Sequence, residues 1–91
     1  GLSTLPAETV DTLAGNTVAV KTQVPDKLDE WRQNLQGIRT DFAGRNWANE
    51  IAFVDALLAV LDDQPAALPD NNPYAPVVRL VVEAIRNYPG A

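Results

Sequence analysis

Apolar residues recur three and four positions apart in four separate stretches of this chain, the spacing of one face of an α-helix. In the first stretch they are Val10, Leu13, Ala14 and Val18. Pro6 suits a first helical turn, where its missing N–H costs nothing, and Glu8 falls near the positive helix end. Gly15-Asn16 weakens this stretch, because glycine costs roughly 1 kcal/mol against alanine inside a helix. Val18 extends the same face, so the spacing predicts a helix that runs on to about Thr22. Val24-Pro25 breaks it. Leu28, Trp31, Leu35, Ile38 and Phe42 then form one apolar stripe, with Asp29, Glu30, Arg32, Gln33, Gln36 and Arg39 opposite. Gly44 is placed to stop this second helix at its C′ position.

The third stretch is apolar nearly all round. Trp47, Ile51, Val54, Leu58 and Leu61 make one stripe; Phe53, Leu57 and Val60 add another, and alanines fill much of the rest. Such a helix is central in a bundle or covered by a partner. Asn46 reads as its N-cap. The fourth stretch carries Tyr74, Val77, Val81, Ala84 and Tyr88, widened by Val78, Val82 and Ile85, with Arg79 and Glu83 spaced to pair outside. Pro89-Gly90 ends it. The alternating "TVAV" at 17–20 is the only strand-like text. The expected fold is all-α, a compact four-helix up-down-up-down bundle with helices at about 6–22, 25–43, 47–62 and 73–88, in one domain covering 1–91.

The longest connection contains "LPDNNPYAP", residues 68–76. Asn72 reads as a helix cap, Pro73 as the opening residue, and Tyr74 as the first core residue of the fourth helix. Leu68 is placed to pack back before the cap. Leu68, Asn72, Pro73 and Tyr74 are therefore expected to form a rigid structural joint rather than a linker.

Composition narrows the chemistry. The chain has 91 residues and no cysteine or histidine, which removes disulfides, thiolate catalysis, the usual general base near neutral pH and the commonest metal ligands. Ser3 is the only serine and has no histidine to activate it. No catalytic residue and no cofactor is expected, and the chain is read as not an enzyme. The net charge is −5, with cations scattered, so no nucleic-acid partner is expected. No apolar run approaches the ~20 residues of a membrane span, and no export signal is visible; the expected location is cytoplasmic. The chain lacks methionine and begins Gly-Leu-Ser. We therefore expect a domain cut from a longer protein, with Gly1 a cloning remnant.

Two groups of residues stand as candidates for binding. Asp62 and Asp63 sit at a helix C-terminus, where negative charge is unfavourable. They are solvated, neutralised by an arginine such as Arg45 or Arg79, or, with Asp70, Asn71 and Asn72, oxygen ligands for Ca²⁺ in the 62–72 loop. The calcium reading lacks the alternating oxygen pattern and glycine of an EF-hand loop. The second group is apolar: Trp47, Phe53, Leu57 and Tyr88, as anchors for a protein partner.

The order of motifs carries a resemblance. "NTVAV…VP-K---W", the "ALLA-LD-Q" helix and "LP--NPYA" make nearly the whole chain similar to a helical module in large bacterial tetratricopeptide-repeat proteins. The resemblance implies a scaffolding or assembly module whose partner is protein, either a second copy or other domains of the parent chain. Its motifs are structural and carry no catalytic residue over to this chain.

Overall fold

The computed structural model describes residues 4–90; Gly1 and Ser3 lie outside them. The described residues form four α-helices and no strand: α1 (Ala7–Thr22), α2 (Leu28–Gly44), α3 (Ala48–Leu61) and α4 (Ala75–Arg86), with a 3₁₀ turn at Pro25–Lys27 leading into α2. The all-α four-helix bundle is as expected.

Helix α1 passes through Gly15-Asn16 unbroken. Pro6 is its N-cap residue, not its first helical residue; its carbonyl accepts from the N–H groups of Thr9 and Val10 at 3.0 and 3.1 Å. The face that α1 buries is Val10, Leu13, Thr17 and Val20, so the stripe includes a threonine. Thr17 is fully buried because its hydroxyl is used twice. It donates to the Leu13 carbonyl at 2.8 Å and accepts from the Trp31 indole N–H at 3.0 Å. A hydroxyl so satisfied sits in a core at little cost.

Two helix ends correct the expected grammar. Gly44 is the last residue of α2, and the residue in the left-handed region is Asn46, with φ 58°. Asn46 N–H reaches the Ala43 carbonyl and Trp47 N–H the Phe42 carbonyl, both at 3.1 Å. This is a Schellman ending, and asparagine tolerates the left-handed position better than most side chains. Trp47 then packs on Phe42, ring centroids 5.5 Å apart, the apolar contact that often accompanies the motif. Asn46 is thus a terminator of α2, and Trp47, not Asn46, is the N-cap of α3. Helix α3 ends the same way: Asp63 takes φ 58°, and Gln64 N–H bonds the Ala59 carbonyl at 2.9 Å.

The 68–76 joint forms, with a later helix start than expected. Asn72 is buried, its side-chain oxygen accepts the Tyr74 N–H at 2.8 Å, and its amide donates to the Asn49 carbonyl at 3.3 Å. This turn uses up Pro73 and Tyr74, so α4 begins at Ala75, with Pro76 in its first turn. Leu68 packs against the core as a half-buried residue. At the far end α4 stops at Arg86 with Asn87 as its C-cap, two residues short of Tyr88, the residue that Pro89 holds away from helical backbone.

Helix α3 supplies the centre of the core with Phe53, Val54, Ala56, Leu57, Val60 and Leu61. Helix α2 packs chiefly along α3 and α1 chiefly along α4; α2 and α4 do not touch. Helix α1 meets α2 less extensively than it meets α4.

Two substitutions test this account by denaturant titration. Gly15→Ala should raise stability by about 0.5–1 kcal/mol, because a methyl there meets nothing within 4 Å. Asn72→Ala should lower it by about 1–2 kcal/mol; an unchanged midpoint would show that the joint is held elsewhere.

Candidate functional site

Of the residues expected to matter, Tyr74 occupies the most constrained position. It is 1% exposed, and its ring stacks on Phe53 with centroids 4.7 Å apart and planes 14° from parallel. Its hydroxyl donates to Glu50 Oε2 at 2.5 Å and accepts the Leu5 N–H at 3.3 Å. One side chain therefore ties α3, the joint and the segment before α1 together. Glu50 is 3% exposed, a buried carboxylate in the first turn of the most apolar helix. Sequence reasoning passed over it. The signal was present: Glu50, Val54, Leu57 and Leu61 follow a four-three-four spacing, so the carboxylate stands on the buried stripe itself.

The acidic residues do not gather. Asp62 bonds Arg32 of α2, and Asp63 bonds Lys21 of α1 at 2.6 Å. Arg45 instead pairs with Asp41 at 3.2 Å and lies over the Trp47 ring at 5.2 Å. Arg79 reaches Asp70 at 3.8 Å, not Glu83. The unfavourable position of two aspartates at the end of α3 is explained by the two helices whose cations they hold. Arg39 adds a second α2–α3 clamp, with Nε at 2.5 Å from Asp55 Oδ1 and a guanidinium nitrogen at 3.2 Å from Oδ2. That hydrogen bond first, and the charge of Asp55 second, raise the Arg39 guanidinium above its ordinary range. Among the described residues, no three Asp or Glu side chains stand where they could share a metal ion. Asn71 is exposed.

The four apolar candidates divide. Phe53 and Leu57 are 0% exposed and filled against by the core, so in this fold they offer no surface to a partner. Trp47 and Tyr88 are half-buried.

The concave surface lies where α1 and α2 fail to close on each other. One chamber, about 500 Å³, has Leu5, Leu13, Ile38 and Phe42 as its apolar part and Thr9, Gln33, Asn34, Gly37 and Asp41 along its edge. A second, about 200 Å³, is lined by Val20, Val24 and Trp31 with Asn16, Lys27, Glu30 and Asn34. Asn34 borders both, so the two lie next to each other along the α1–α2 seam, here called the furrow. A further dip, about 260 Å³, lies between α1 and α4, where Leu80 is 64% exposed beside Ala14, Val18, Val77 and Ala84. The sequence did not announce the furrow: Ile38 and Trp31 read as core, and they are core on one side only.

Comparison of the chain with protein-family models, curated proteins and solved structures finds no match.

Tyr74→Phe should destabilise the domain by about 1–3 kcal/mol, because it strands a buried carboxylate. In the Glu50→Gln background the same change should cost less, and a double-mutant cycle in urea measures the difference. Full additivity would show that the hydroxyl–carboxylate contact contributes nothing.

Proposed function

We propose that this domain is a non-enzymatic protein-interaction or scaffolding module of a larger cytoplasmic, tetratricopeptide-repeat-type bacterial protein. The observation that carries the reading is the open α1–α2 furrow, an apolar trough whose polar rim includes Lys27, Glu30 and Asp41, on a small domain many of whose other charged side chains are paired away from it. Several of those charges hold helix to helix: Arg32 to Asp62, Arg39 to Asp55 and Lys21 to Asp63. Such pairs are fixed by their partners rather than poised for a substrate. A concave apolar surface bounded by polar groups is the usual form of a recognition site. No helix of the described residues is long and apolar enough to cross a membrane, so the apolar surface is not that of a spanning segment. The resemblance to modules that lie beside helical repeats points the same way.

The reading is tested by NMR amide spectra of the domain at rising concentration, and with added tetratricopeptide-repeat segments from chains carrying the same LP--NPYA motif. Saturable shifts along α1 and α2 are the expected result. A strictly monomeric domain whose spectrum neither addition changes would overturn it.

A further inference from the structure

We infer that the outer face shared by α1 and α4 takes a second copy of this chain, the two α4 helices packed antiparallel about a two-fold axis. This goes beyond the furrow reading, because the dip between α1 and α4 shares no lining residue with either chamber of the furrow. Helix α4 holds to the bundle through buried Val78 and Val81. Leu80 falls outside that face and is 64% exposed, the most open of the large apolar side chains among the described residues. Ala14 and Val18 of α1 and Val77 and Ala84 of α4 lie beside it, so the leucine stands at the edge of a shallow apolar floor. A two-fold interface sets one patch against itself. A leucine projecting next to a dip can therefore enter the same dip on another copy.

The charges beside Leu80 select the occupant and its direction. On helical spacing Arg79 and Glu83 fall on the flank of Leu80 away from α1, opposite Val77 and Ala84. Elsewhere on the surface, opposite charges one turn apart pair with each other: Lys27 with Glu30 at 3.8 Å, Asp29 with Arg32 at 3.9 Å, and Asp41 with Arg45 at 3.2 Å. Glu83 stands one turn from Arg79 and one turn from Arg86, yet it pairs with neither, nor with any other described residue. Arg79 reaches Asp70 at 3.8 Å without a hydrogen bond, and the Asp70 side chain is wholly exposed. A two-fold axis across α4 reverses the direction of the second helix and sets each flank against its own counterpart. Arg79 of each copy then stands opposite Glu83 of the other. Parallel pairing would oppose arginine to arginine and glutamate to glutamate, and a partner of a single charge sign would leave one of the two unmatched.

The size of the face sets the strength of the contact. Helix α4, 12 residues, is about 18 Å long, and two helices side by side are about 20 Å wide. That footprint of roughly 400 Å² falls below the ~800 Å² per partner of a standard stable complex. The dimer is therefore in exchange with the monomer, with a dissociation constant on the order of 0.1–1 mM.

Sedimentation equilibrium from about 10 μM to about 2 mM measures the association, and NMR amide shifts over the same range locate it. A monomer–dimer equilibrium is expected, with shifts centred on Ala14, Val18, Leu80 and Ala84. Leu80→Ser should weaken it roughly tenfold or more without lowering the melting temperature of the dilute protein, because the leucine is exposed. Arg79→Glu and Glu83→Arg should each weaken it about two- to fivefold, more at low salt, and the two changes together should restore it. A monomer throughout the range, a dimer indifferent to Leu80→Ser, or single charge changes without effect would overturn this inference. Concentration-dependent shifts confined to the furrow would overturn it too, and would support the furrow reading. That reading is tested separately by added repeat segments, so the two can fail independently.

Discussion

Everything around the joint depends on one buried polar contact, the Tyr74 hydroxyl on the Glu50 carboxylate. A carboxylate in an apolar helix core is costly unless hydrogen-bonded. Here the partner comes from the far end of the chain's longest connection, and it arrives only if the 68–76 segment folds as it does. Asn72 sets the turn that points Tyr74 inward; Phe53 stacks on its ring; the Leu5 N–H bonds its oxygen from the other side. Losing either hydrogen bond leaves a polar group without its mate, and losing the Phe53 ring leaves a gap beside Tyr74. The contact thus specifies where α4 and the start of α1 sit as much as it stabilises them.

From that anchor the packing order follows. With α4 set against the bundle at Tyr74, α1 lies along α4, and α2 lies along the opposite side of α3, clamped by Arg39–Asp55 and Arg32–Asp62. Both outer helices are committed to other neighbours. They meet through the Pro25–Lys27 turn and the Trp31–Thr17 bond, but not along their full length. The furrow is what remains between two helices whose best faces are used elsewhere. Its floor is apolar because the stripe of α2 is wider than the part that α3 covers.

The two aspartates ending α3 show how a locally unfavourable residue is used. Asp63 sits in the left-handed region of a Schellman ending, where glycine would be easier, and faces the negative end of the helix dipole. Its carboxylate takes Lys21 from α1, while Asp62 takes Arg32 from α2. Local cost at one helix end is exchanged for links between three helices, each modest at the surface and weaker in salt.

By itself the sequence determined four helices, their approximate limits, the centrality of α3 and the structural nature of the 68–76 joint. These follow from short-range physics: three-four periodicity, proline restriction and side-chain caps act within a few residues. Helix ends were less legible, because Asn46 is as good a left-handed terminator of α2 as it is a cap for α3, and only the chain's path chooses between them. Thr17 and Glu50 were hidden for a different reason. A hydroxyl or carboxylate is buried only when a partner distant in sequence satisfies it, and Trp31 and Tyr74 are such partners. The cations for Asp62 and Asp63, and the furrow between α1 and α2, were likewise decided by the tertiary structure, since periodicity says which face of a helix is apolar but not which neighbour covers it.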